Sequence, residues 1–347
     1  MIIERMTVEL GLTPQFVKNL AITASYEYKK FTVKKKNGGD RDIFHPSRKL
    51  KSVQIWMLRK ILEQFPVHEA ATAYRPGLSI YDNATRHASG RYLLRLDLEK
   101  FFPSIKISDF SKFIENNPDT FENWTAEDKR CTSLLMFRSG ELTIGAPTSP
   151  ALSNILCFQL DVEVSKMARH HGLMYTRYAD DLFFSSIKPN VLASVTEEVK
   201  IILDQITIPA ALKINQNKTW HSSKKGRRRV TGVTLGSDGK PHIPRSYKRI
   251  IRSMVHKYEQ LNEMQKVALP GMISFVAGEE PEFVNSLITK YGFERISQVT
   301  KVLSLAERQR IHVPKVKLSS LKIPRARSAH EQLREILKRA GYDLGTD

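Results

Sequence analysis

The sequence predicts an α+β protein in which a ferredoxin-like sheet forms the central region. Three observations predict this class. Strand-like and helix-like segments follow one another as β-α-β-β-α-β between about residues 91 and 215. Helical patterns dominate before and after this region. Hydrophobic residues make up 41% of the 347 residues, which is enough for a sizeable core. A chain of this length favours two or three compact units, and we expect boundaries near residues 90 and 243.

The first 90 residues are expected to be helices joined by a basic loop. Residues 34–40 contain Asn37-Gly38-Gly39 after three lysines, a composition typical of a hairpin-like turn. Between Leu50 and Phe65 the apolar residues recur with helical spacing. This part of the chain therefore contributes a mixed, mainly helical unit.

The central region opens with the predicted strand 92–98, where apolar and polar residues alternate. Leu94, Leu96 and Leu98 share one face, so Asp97 projects from the other. Helical segments around 108–137 are expected as an insertion. Residues 150–170 then read as one long helix, with Ser149 placed to cap its start and Gly172 at its end.

Two short strands are predicted next, at 174–178 and 182–185, with Ala179-Asp180-Asp181 at the turn between them. A helix over 192–206 and a strand over 211–215 complete the order. In a ferredoxin-like sheet the first and third strands are neighbours. The order therefore predicts that Asp97 lies beside the turn that carries Asp180 and Asp181.

The remainder of the chain begins with a predicted hairpin, in which 228–235 pairs with 240–243 around Gly236-Ser237-Asp238-Gly239. From Pro244 the pattern is helical. A helix over 246–261 is expected to pack Ile250, Met254, Tyr258 and Leu261 and to present basic residues on its other side. The last helix has a capping box at 328–331 and a terminating Gly341.

The charge is strongly basic and unevenly distributed. The chain has 55 Lys and Arg against 36 Asp and Glu, a formal net charge of +19. Residues 29–60 hold eleven basic residues and two acids, residues 221–257 hold eleven and one, and residues 311–327 hold five and none. One such run is usually a solvated surface, but three separated runs favour a nucleic-acid partner. No apolar run is long enough for a membrane helix, and two cysteines make no disulfide framework, so a cytoplasmic protein with no membrane partner is expected.

The three acids point to metal chemistry. Clustered carboxylates resist ionisation unless a cation neutralises them, and hard oxygen ligands suit Mg²⁺. Asp-Asp alone is a weak signal that usually marks a solvated turn. Here the pair is flanked on both sides by apolar strand residues, which indicates that the framework holds it in place.

The motifs resemble those of a reverse transcriptase of the bacterial retron type. The palm of that family is similar to Tyr178-Ala179-Asp180-Asp181 and to the segment from Leu96 to Ile105, and its third palm motif resembles Gly145 to Asn154. Asn83-Ala84-Thr85-Arg86-His87 and Val230-Thr231-Gly232 resemble two retron signatures. Where many relatives carry Pro-Gln before the third motif, this chain has Thr143-Ile144. The resemblance covers residues from about 40 to about 260.

The resemblance implies a right-hand polymerase with helical fingers (1–90, with later segments returning), a ferredoxin-like palm (91–243) and an α-helical thumb (244–347). It implies two Mg²⁺ ions held by Asp97, Asp180, Asp181 and the Leu98 carbonyl, and Lys218 as the acid that protonates pyrophosphate. For the incoming nucleotide it implies Arg41 on the triphosphate, Phe102 beneath the sugar, and close backbone approach at Gly145, Ala146 and Pro147.

For nucleic acid, the expected contacts are grouped in the second half of the chain and in the Asn-Ala-x-x-His segment. These residues are Asn83, His87, Arg227, Arg228, Arg229, Thr231, Gly232, Lys248, Arg249 and Arg252. For Asn83 and His87 a purely structural role stays open, since taken singly they read as a helix cap and a satisfied core histidine.

The implied activity is synthesis of DNA on an RNA template from deoxynucleoside triphosphates. Retron relatives prime from a 2′-OH of their own structured non-coding RNA of the msr-msd type and yield a branched RNA–DNA product, with an effector protein and antiphage defence as the setting. Two alternatives stay open. One is a reverse transcriptase of the group II intron or diversity-generating type. The other is an RNA-binding module whose catalysis has lapsed.

Overall fold

The computed structural model describes residues 2–34 and 38–308, with side chains described up to residue 300. The α-helices, in chain order, are α1 Ile2–Leu10, α2 Pro14–Thr23, α3 Arg48–Lys60, α4 Ile80–Arg86, α5 Phe101–Ser104, α6 Ile107–Glu115, α7 Ala126–Met136, α8 Ser149–Leu156, α9 Phe158–His170, α10 Val195–Gln205, α11 Arg245–His256, α12 Glu263–Glu279, α13 Pro281–Tyr291 and α14 Phe293–Arg308. The strands are β1 Tyr28–Lys34, β2 Asp40–Pro46, β3 Tyr92–Asp97, β4 Met174–Tyr178, β5 Asp181–Ser186, β6 Trp220–Ser223, β7 Arg229–Val230, β8 Val233–Leu235 and β9 Pro241–His242.

The chain divides into two compact units. Of the described residues, the first unit comprises those up to 74 and 90–225, and the second comprises 75–89 and 226–308. The predicted boundaries at 90 and 243 divide the chain into fingers, palm and thumb by its sequence motifs, not by compactness. That three-part division stays a prediction. In the parts of the chain that the structure describes, no helix combines the length and apolarity needed to cross a membrane.

A four-stranded sheet in the order β4-β5-β3-β6 lies at the centre of the first unit. All its pairings are antiparallel, and β3 lies between β5 and β6. The first and third strands of the β-α-β-β-α-β order are therefore neighbours, as the ferredoxin-like interpretation predicts. Leu94, Leu96 and Leu98 belong to the hydrophobic core of this unit, which confirms the predicted apolar face of β3. The α+β class is confirmed.

The hairpin β1–β2 is a separate two-stranded sheet, in which Lys34 pairs with Asp40. The predicted hairpin-like connection is thus confirmed. The helix predicted from Leu50 is α3, which begins two residues earlier, at Arg48. Ser47 is its N-cap, and the Ser47 side chain accepts a hydrogen bond from the Leu50 amide. Its buried face includes Leu50, Val53 and Met57.

Two predictions for the first unit are wrong. The single helix over 150–170 is interrupted at Cys157, giving α8 and α9, and Ser149 is inside α8 rather than its cap. The apolar period hides this break because Leu156 and Leu160 are buried on both sides of it. The expected strand over 211–215 makes only an isolated bridge between Ile214 and Leu98. The fourth strand is β6, which lies at the sheet edge with half of its residues exposed and so lacks an apolar alternation.

The second unit contains the three-stranded antiparallel sheet β7-β8-β9, α4 and the helices α11 to α14. The turn at 236–239 is confirmed by the pairing of Leu235 with Pro241. The segment 228–235, predicted as one strand, is itself a hairpin that turns at Thr231 and Gly232 with φ of 49° and 93°. Two successive positive φ values are typical of the tight turn that matches strand twist.

The helix α11 ends at His256, earlier than predicted, and buries Ile251 and Val255. Ile250, expected on the packed side, is 50% exposed. The other expected residues do pack: Tyr258 is buried, and Met254 and Leu261 are partly buried against the same core. The prediction is therefore wrong for Ile250, whose place on the packed side is taken by Ile251. The predicted last helix (328–341) and the basic stretch 311–327 lie outside the described residues.

Candidate active site

The backbone segments that carry the three predicted catalytic acids lie side by side at one end of the β3–β5 strand pair. Asp97 is the last residue of β3 and lies opposite Asp181, the first residue of β5, in the antiparallel register. The Leu98 amide donates a hydrogen bond of 2.8 Å to the Asp180 carbonyl. Ala179, with φ of 58°, and Asp180 form the two-residue connection between β4 and β5. The tight turn thus fixes both acids next to Asp97.

Two basic side chains hold the acids. The Lys218 Nζ donates to the Asp97 Oδ1 at 2.9 Å and to its Oδ2 at 3.1 Å. The Arg95 Nε and Nη2 both donate to the Asp181 Oδ1, at 3.0 and 2.9 Å. Arg95 Nη2 also lies 4.0 Å from the Asp97 Oδ2. Asp97 itself is only 3% exposed, so these contacts pair a buried carboxylate with basic groups.

The Asp181 carboxyl has a raised pKa. Burial is the main cause, Arg95 opposes the rise, the Asp180 and Asp97 charges add to it, and together they raise the pKa of Asp181 to about 7. A carboxylate in this setting ionises readily only when positive charge is added. Added positive charge would therefore favour the ionised form of Asp181.

The donor set fits a divalent cation in its chemistry. Carboxylate oxygens are the hard ligands that Mg²⁺ prefers. Within residues 2–34 and 38–308 no three Asp, Glu, His or Cys side chains converge as a metal-binding cluster. A cation on Asp97 would have to compete with the Lys218 ammonium for the same oxygens.

An aromatic pair borders the acids. The Phe102 ring, half-buried after the left-handed Lys100, lies stacked on the Tyr74 ring with centroids 6.3 Å apart. Burial raises the pKa of Tyr74, the nearby Asp180 carboxylate raises it further, and Arg41 lowers it. Phe102 thus contacts Tyr74, while the charges of Asp180 and Arg41 act on its hydroxyl, and Arg41 is exposed on β2.

The Gly145 segment packs directly on β2. The Phe44 amide donates to the Ile144 carbonyl at 2.8 Å. A Cβ on Gly145 would lie 2.2 Å from the Phe44 carbonyl oxygen, and the φ of Gly145 is +117°. Ala146 is buried and Pro147 is half-buried. Thr143, in the place of the usual proline, is buried, and its amide donates a hydrogen bond to the Ser149 Oγ at 3.3 Å. The structure explains the glycine through its contact with β2; the expected approach to a nucleotide stays a prediction.

The predicted nucleic-acid residues of the second unit fall into two groups. Arg227, Arg229 and Gly232 are exposed on or beside the β7–β8 hairpin. The Thr231 hydroxyl donates to the Ile80 carbonyl at 3.0 Å, so it fastens the turn to α4. Arg228 is a correction: its side chain is buried and its Nη2 donates to the Gly236 carbonyl at 2.8 Å, which fits a structural role and not a phosphate contact.

Asn83 and His87 also need correction as direct contacts. Both are 0% exposed, on α4 and at its end. Burial lowers the pKa of His87 to about 3, so the imidazole is neutral. The side-chain amide of Asn83 has no hydrogen-bond partner among the described residues. Their burial supports the structural role that the sequence left open.

The helix α11 places its basic residues unequally. Arg249 and Arg252 are exposed, and the Arg252 guanidinium lies 4.9 Å from the Phe283 ring centroid. Lys248 is half-buried and its Nζ lies 2.6 Å from the Glu280 Oε2. Lys248 is therefore committed to an ion pair, while the two arginines face solvent.

Sequence reasoning missed three residues at the site. Arg95 was detectable, because it precedes Asp97 by two residues and so shares its face of β3. Tyr74 gave no signal, since its neighbours are far away in the chain. Arg177 stands in the same strand as the turn, but its burial against Asp161 depends on how α9 packs.

The chain is similar to known proteins over most of its length. The family model described as reverse transcriptase (RNA-dependent DNA polymerase) matches residues 33–235. The retron Ec83 reverse transcriptase of Escherichia coli is 34% identical over 301 residues, covering 83% of this chain and 94% of that protein. The retron Ec73 reverse transcriptase of E. coli is 30% identical, covering 80% and 91%. Among solved structures, a telomerase from Candida tropicalis bound to a fragment of telomeric RNA matches with a TM-score of 0.44 at 10% identity, covering 94% of this chain and 68% of that one.

Proposed function

Because this chain belongs to the reverse transcriptase family, as a retron-type RNA-directed DNA polymerase, we propose that it primes DNA synthesis from a 2′-OH within its own structured RNA. The product would be a branched RNA–DNA molecule, and the RNA would be of the msr-msd type. Support comes from the similarity to retron enzymes along most of their length and from the exposed basic surfaces that suit a structured RNA.

The pairing of Asp97 with Asp181 across β3 and β5 is the observation that carries the proposed catalytic centre. We assign Asp97 and Asp180 as the main ligands of divalent metal, with Asp181 as a weaker ligand or electrostatic partner and the Leu98 carbonyl as a further donor. Two Mg²⁺ ions bound there would activate the attacking hydroxyl and neutralise charge on the departing pyrophosphate.

The basic side chains at this site have separate tasks. Lys218, whose ammonium already lies on Asp97, would protonate the departing pyrophosphate. Arg95 keeps Asp181 oriented through two hydrogen bonds to one oxygen. Arg41 is suited to grip the triphosphate, because a guanidinium binds phosphate oxygens in a bidentate way.

The selection of deoxynucleotides is assigned to Phe102. A ring beneath the sugar would clash with a ribose 2′-OH, and the stacked Tyr74 limits how far that ring can retreat. Gly145, Ala146 and Pro147 would line the same pocket through their backbone. The contact of Gly145 with β2 would couple this pocket to the strand that carries Arg41.

Nucleic acid is expected along the exposed basic residues of the second unit. Arg227, Arg229, Arg249 and Arg252 are exposed and able to contact phosphates, and Gly232 lets a backbone approach the hairpin closely. Lys248 contributes charge next to Glu280 rather than a free ammonium. As in retron systems, we place the enzyme with an effector protein in defence against phage.

Co-expression with the neighbouring non-coding RNA tests the proposal. The wild-type protein should yield DNA covalently joined to RNA, and none should form without that RNA. The double variant Asp180→Ala/Asp181→Ala should retain the RNA and make no DNA; continued synthesis would refute the catalytic assignment.

The two alternatives predict different outcomes. A reverse transcriptase of the intron or diversity-generating type would extend a 3′-OH primer and form no branch. A lapsed RNA-binding module would retain the RNA and make no DNA even as wild type. Exchange of the exposed Asp204 for Asn serves as the matched control, because it removes a carboxylate from α10 without touching the site.

A further inference from the structure

A fully buried ion pair lies behind the turn that carries Asp180 and Asp181. Arg177 on β4 and Asp161 on α9 are both 0% exposed. The Arg177 Nε donates to Asp161 Oδ1 and Oδ2 at 2.8 and 3.1 Å, and its Nη2 donates to Oδ2 at 2.6 Å. This is a bidentate contact, the arrangement that fixes a guanidinium most firmly.

The remaining donors of Arg177 reach the turn and α8. Its Nη1 lies 3.4 Å from the Ala179 carbonyl and 3.2 Å from the Asn154 Oδ1. Ala179 is the left-handed residue immediately before Asp180. The guanidinium therefore links the rigid helices to the backbone of the turn.

The network extends to the segment that carries Tyr74. The Asn154 Nδ2 donates to the Ala73 carbonyl at 2.8 Å. The backbone of Arg177 exchanges hydrogen bonds with the same segment, donating to Ala70 at 2.7 Å and accepting from Thr72 at 2.8 Å. One residue thus holds both the acidic turn and the strand-like segment before Tyr74.

Stability alone does not account for such a pair. Desolvating two charges is costly, and apolar residues of similar size often replace a buried pair without loss of stability. Two apolar side chains in place of Arg177 and Asp161 would fill the same space. They could not donate hydrogen bonds to the Ala179 carbonyl and the Asn154 Oδ1, as Arg177 does. What the ion pair adds is a fixed orientation.

We propose that Arg177 is a positioning residue for DNA synthesis: held by Asp161, it sets the conformation of the Ala179–Asp181 turn and so the placement of the catalytic carboxylates. The proposal rests on the assignment of Asp180 and Asp181 made above. Displacing a catalytic group by about 1 Å costs on the order of 100-fold in rate.

The first experiment replaces the network with apolar side chains. In the variant Arg177→Met/Asp161→Leu/Tyr175→Phe neither charge of this ion pair is left buried without its partner, and the Tyr175 hydroxyl, which donates to Asp161 at 2.8 Å, is removed with its acceptor. Extension of a DNA primer on an RNA template with dTTP should show kcat lowered about 100-fold, with KM for dTTP within about threefold. A folded triple variant with kcat within about threefold of wild type would overturn the proposal.

Arg177→Lys decides the matter where the triple variant does not fold. A lysine keeps a positive charge beside Asp161, but its three N–H donors share one nitrogen, which cannot take the positions from which Nε, Nη1 and Nη2 of Arg177 reach Asp161, Asn154 and Ala179. We expect kcat to fall about tenfold at unchanged KM, and more in Arg177→Met; equal kcat in Arg177→Lys and wild type would overturn the proposal.

Gln54→Leu is the matched control for a lost buried network. Gln54 is 0% exposed and donates to the Tyr28 hydroxyl and the Leu135 carbonyl, none of them at the site. It should lower the melting temperature and leave kcat unchanged. If Asp180→Ala/Asp181→Ala retains synthesis, the catalytic assignment fails; if that variant is inactive while the triple variant keeps its kcat, only the positioning role fails.

Discussion

The contact between Gly145 and β2 gives the sharpest test of the nucleotide pocket. In Gly145→Ala the new methyl group would lie 2.2 Å from the Phe44 carbonyl oxygen and 3.0 Å from its carbon. Both are rigid backbone atoms, so the Gly145 segment and β2 must move apart by roughly 1 Å to restore ordinary contact. The left-handed φ of +117° adds about 1–2 kcal/mol of strain for a residue with a Cβ.

A shift of this size should lower kcat/KM for dTTP by about 100-fold. It would also weaken the hydrogen bond from the Phe44 amide to the Ile144 carbonyl, now 2.8 Å long. The assay is steady-state primer extension on an RNA template, with thermal unfolding recorded in parallel. Gly172→Ala is the control, because its φ is +64° but its Cβ would meet no atom within 4 Å. A Gly145→Ala enzyme that keeps more than about a third of wild-type kcat/KM would refute the reasoning.

Two other residues give independent predictions. Tyr74→Ala removes the ring stacked on Phe102, so discrimination between dTTP and UTP in kcat/KM should fall about tenfold; Tyr74→Phe, which keeps the ring, should retain it, and equal ratios in all three enzymes would contradict the role. His87 is neutral in the fold because burial lowers its pKa from 6.5 to about 3. The unfolded chain therefore binds the extra proton below pH 6.5, and the unfolding free energy should fall by about 1.4 kcal/mol per pH unit on acidification. Urea denaturation of wild type and His87→Gln between pH 4 and 8 measures how the unfolding free energy of each protein changes with pH. A difference in unfolding free energy between the two proteins that does not change with pH would contradict this prediction.

Local patterns and topology made much of the first unit predictable. The alternation around Leu94 and Leu96 identified β3, and the β-α-β-β-α-β order placed β5 beside it. Asp97 and Asp181 are 84 residues apart, and no local sequence pattern links them. Their proximity follows from the order of the strands in a ferredoxin-like sheet, in which the first and third strands are neighbours. The meeting of the acids was thus inferable from sequence.

The predictions that were wrong concern features that depend on tertiary packing, which the periodicity of apolar residues in the sequence does not show. The edge strand β6 carries no apolar alternation, so the strand was expected at 211–215. The break at Cys157 leaves the apolar stripe intact. Arg228 belongs to a basic run and was expected to be exposed. Its side chain is buried instead and donates a hydrogen bond to the Gly236 carbonyl in the next turn.

The residues around the acids show the same limit. Arg95 shares the face of Asp97 and was open to inference, whereas Tyr74 and Arg177 owe their positions to contacts with α8, α9 and α5. Side chains that support a site come from distant parts of the chain. The acids can therefore be identified from sequence motifs, whereas the side chains that support them can be identified only from the fold.

Replacing one carboxylate in the purified enzyme tests the proposed centre most directly. Asp97→Asn keeps the size of the side chain and removes the charge that Lys218 contacts at 2.9 Å. We predict that kcat for primer extension falls by at least ~1000-fold while affinity for the template–primer stays near that of Asp204→Asn. An Asp97→Asn enzyme that copies RNA at more than about a tenth of the wild-type rate would contradict the account.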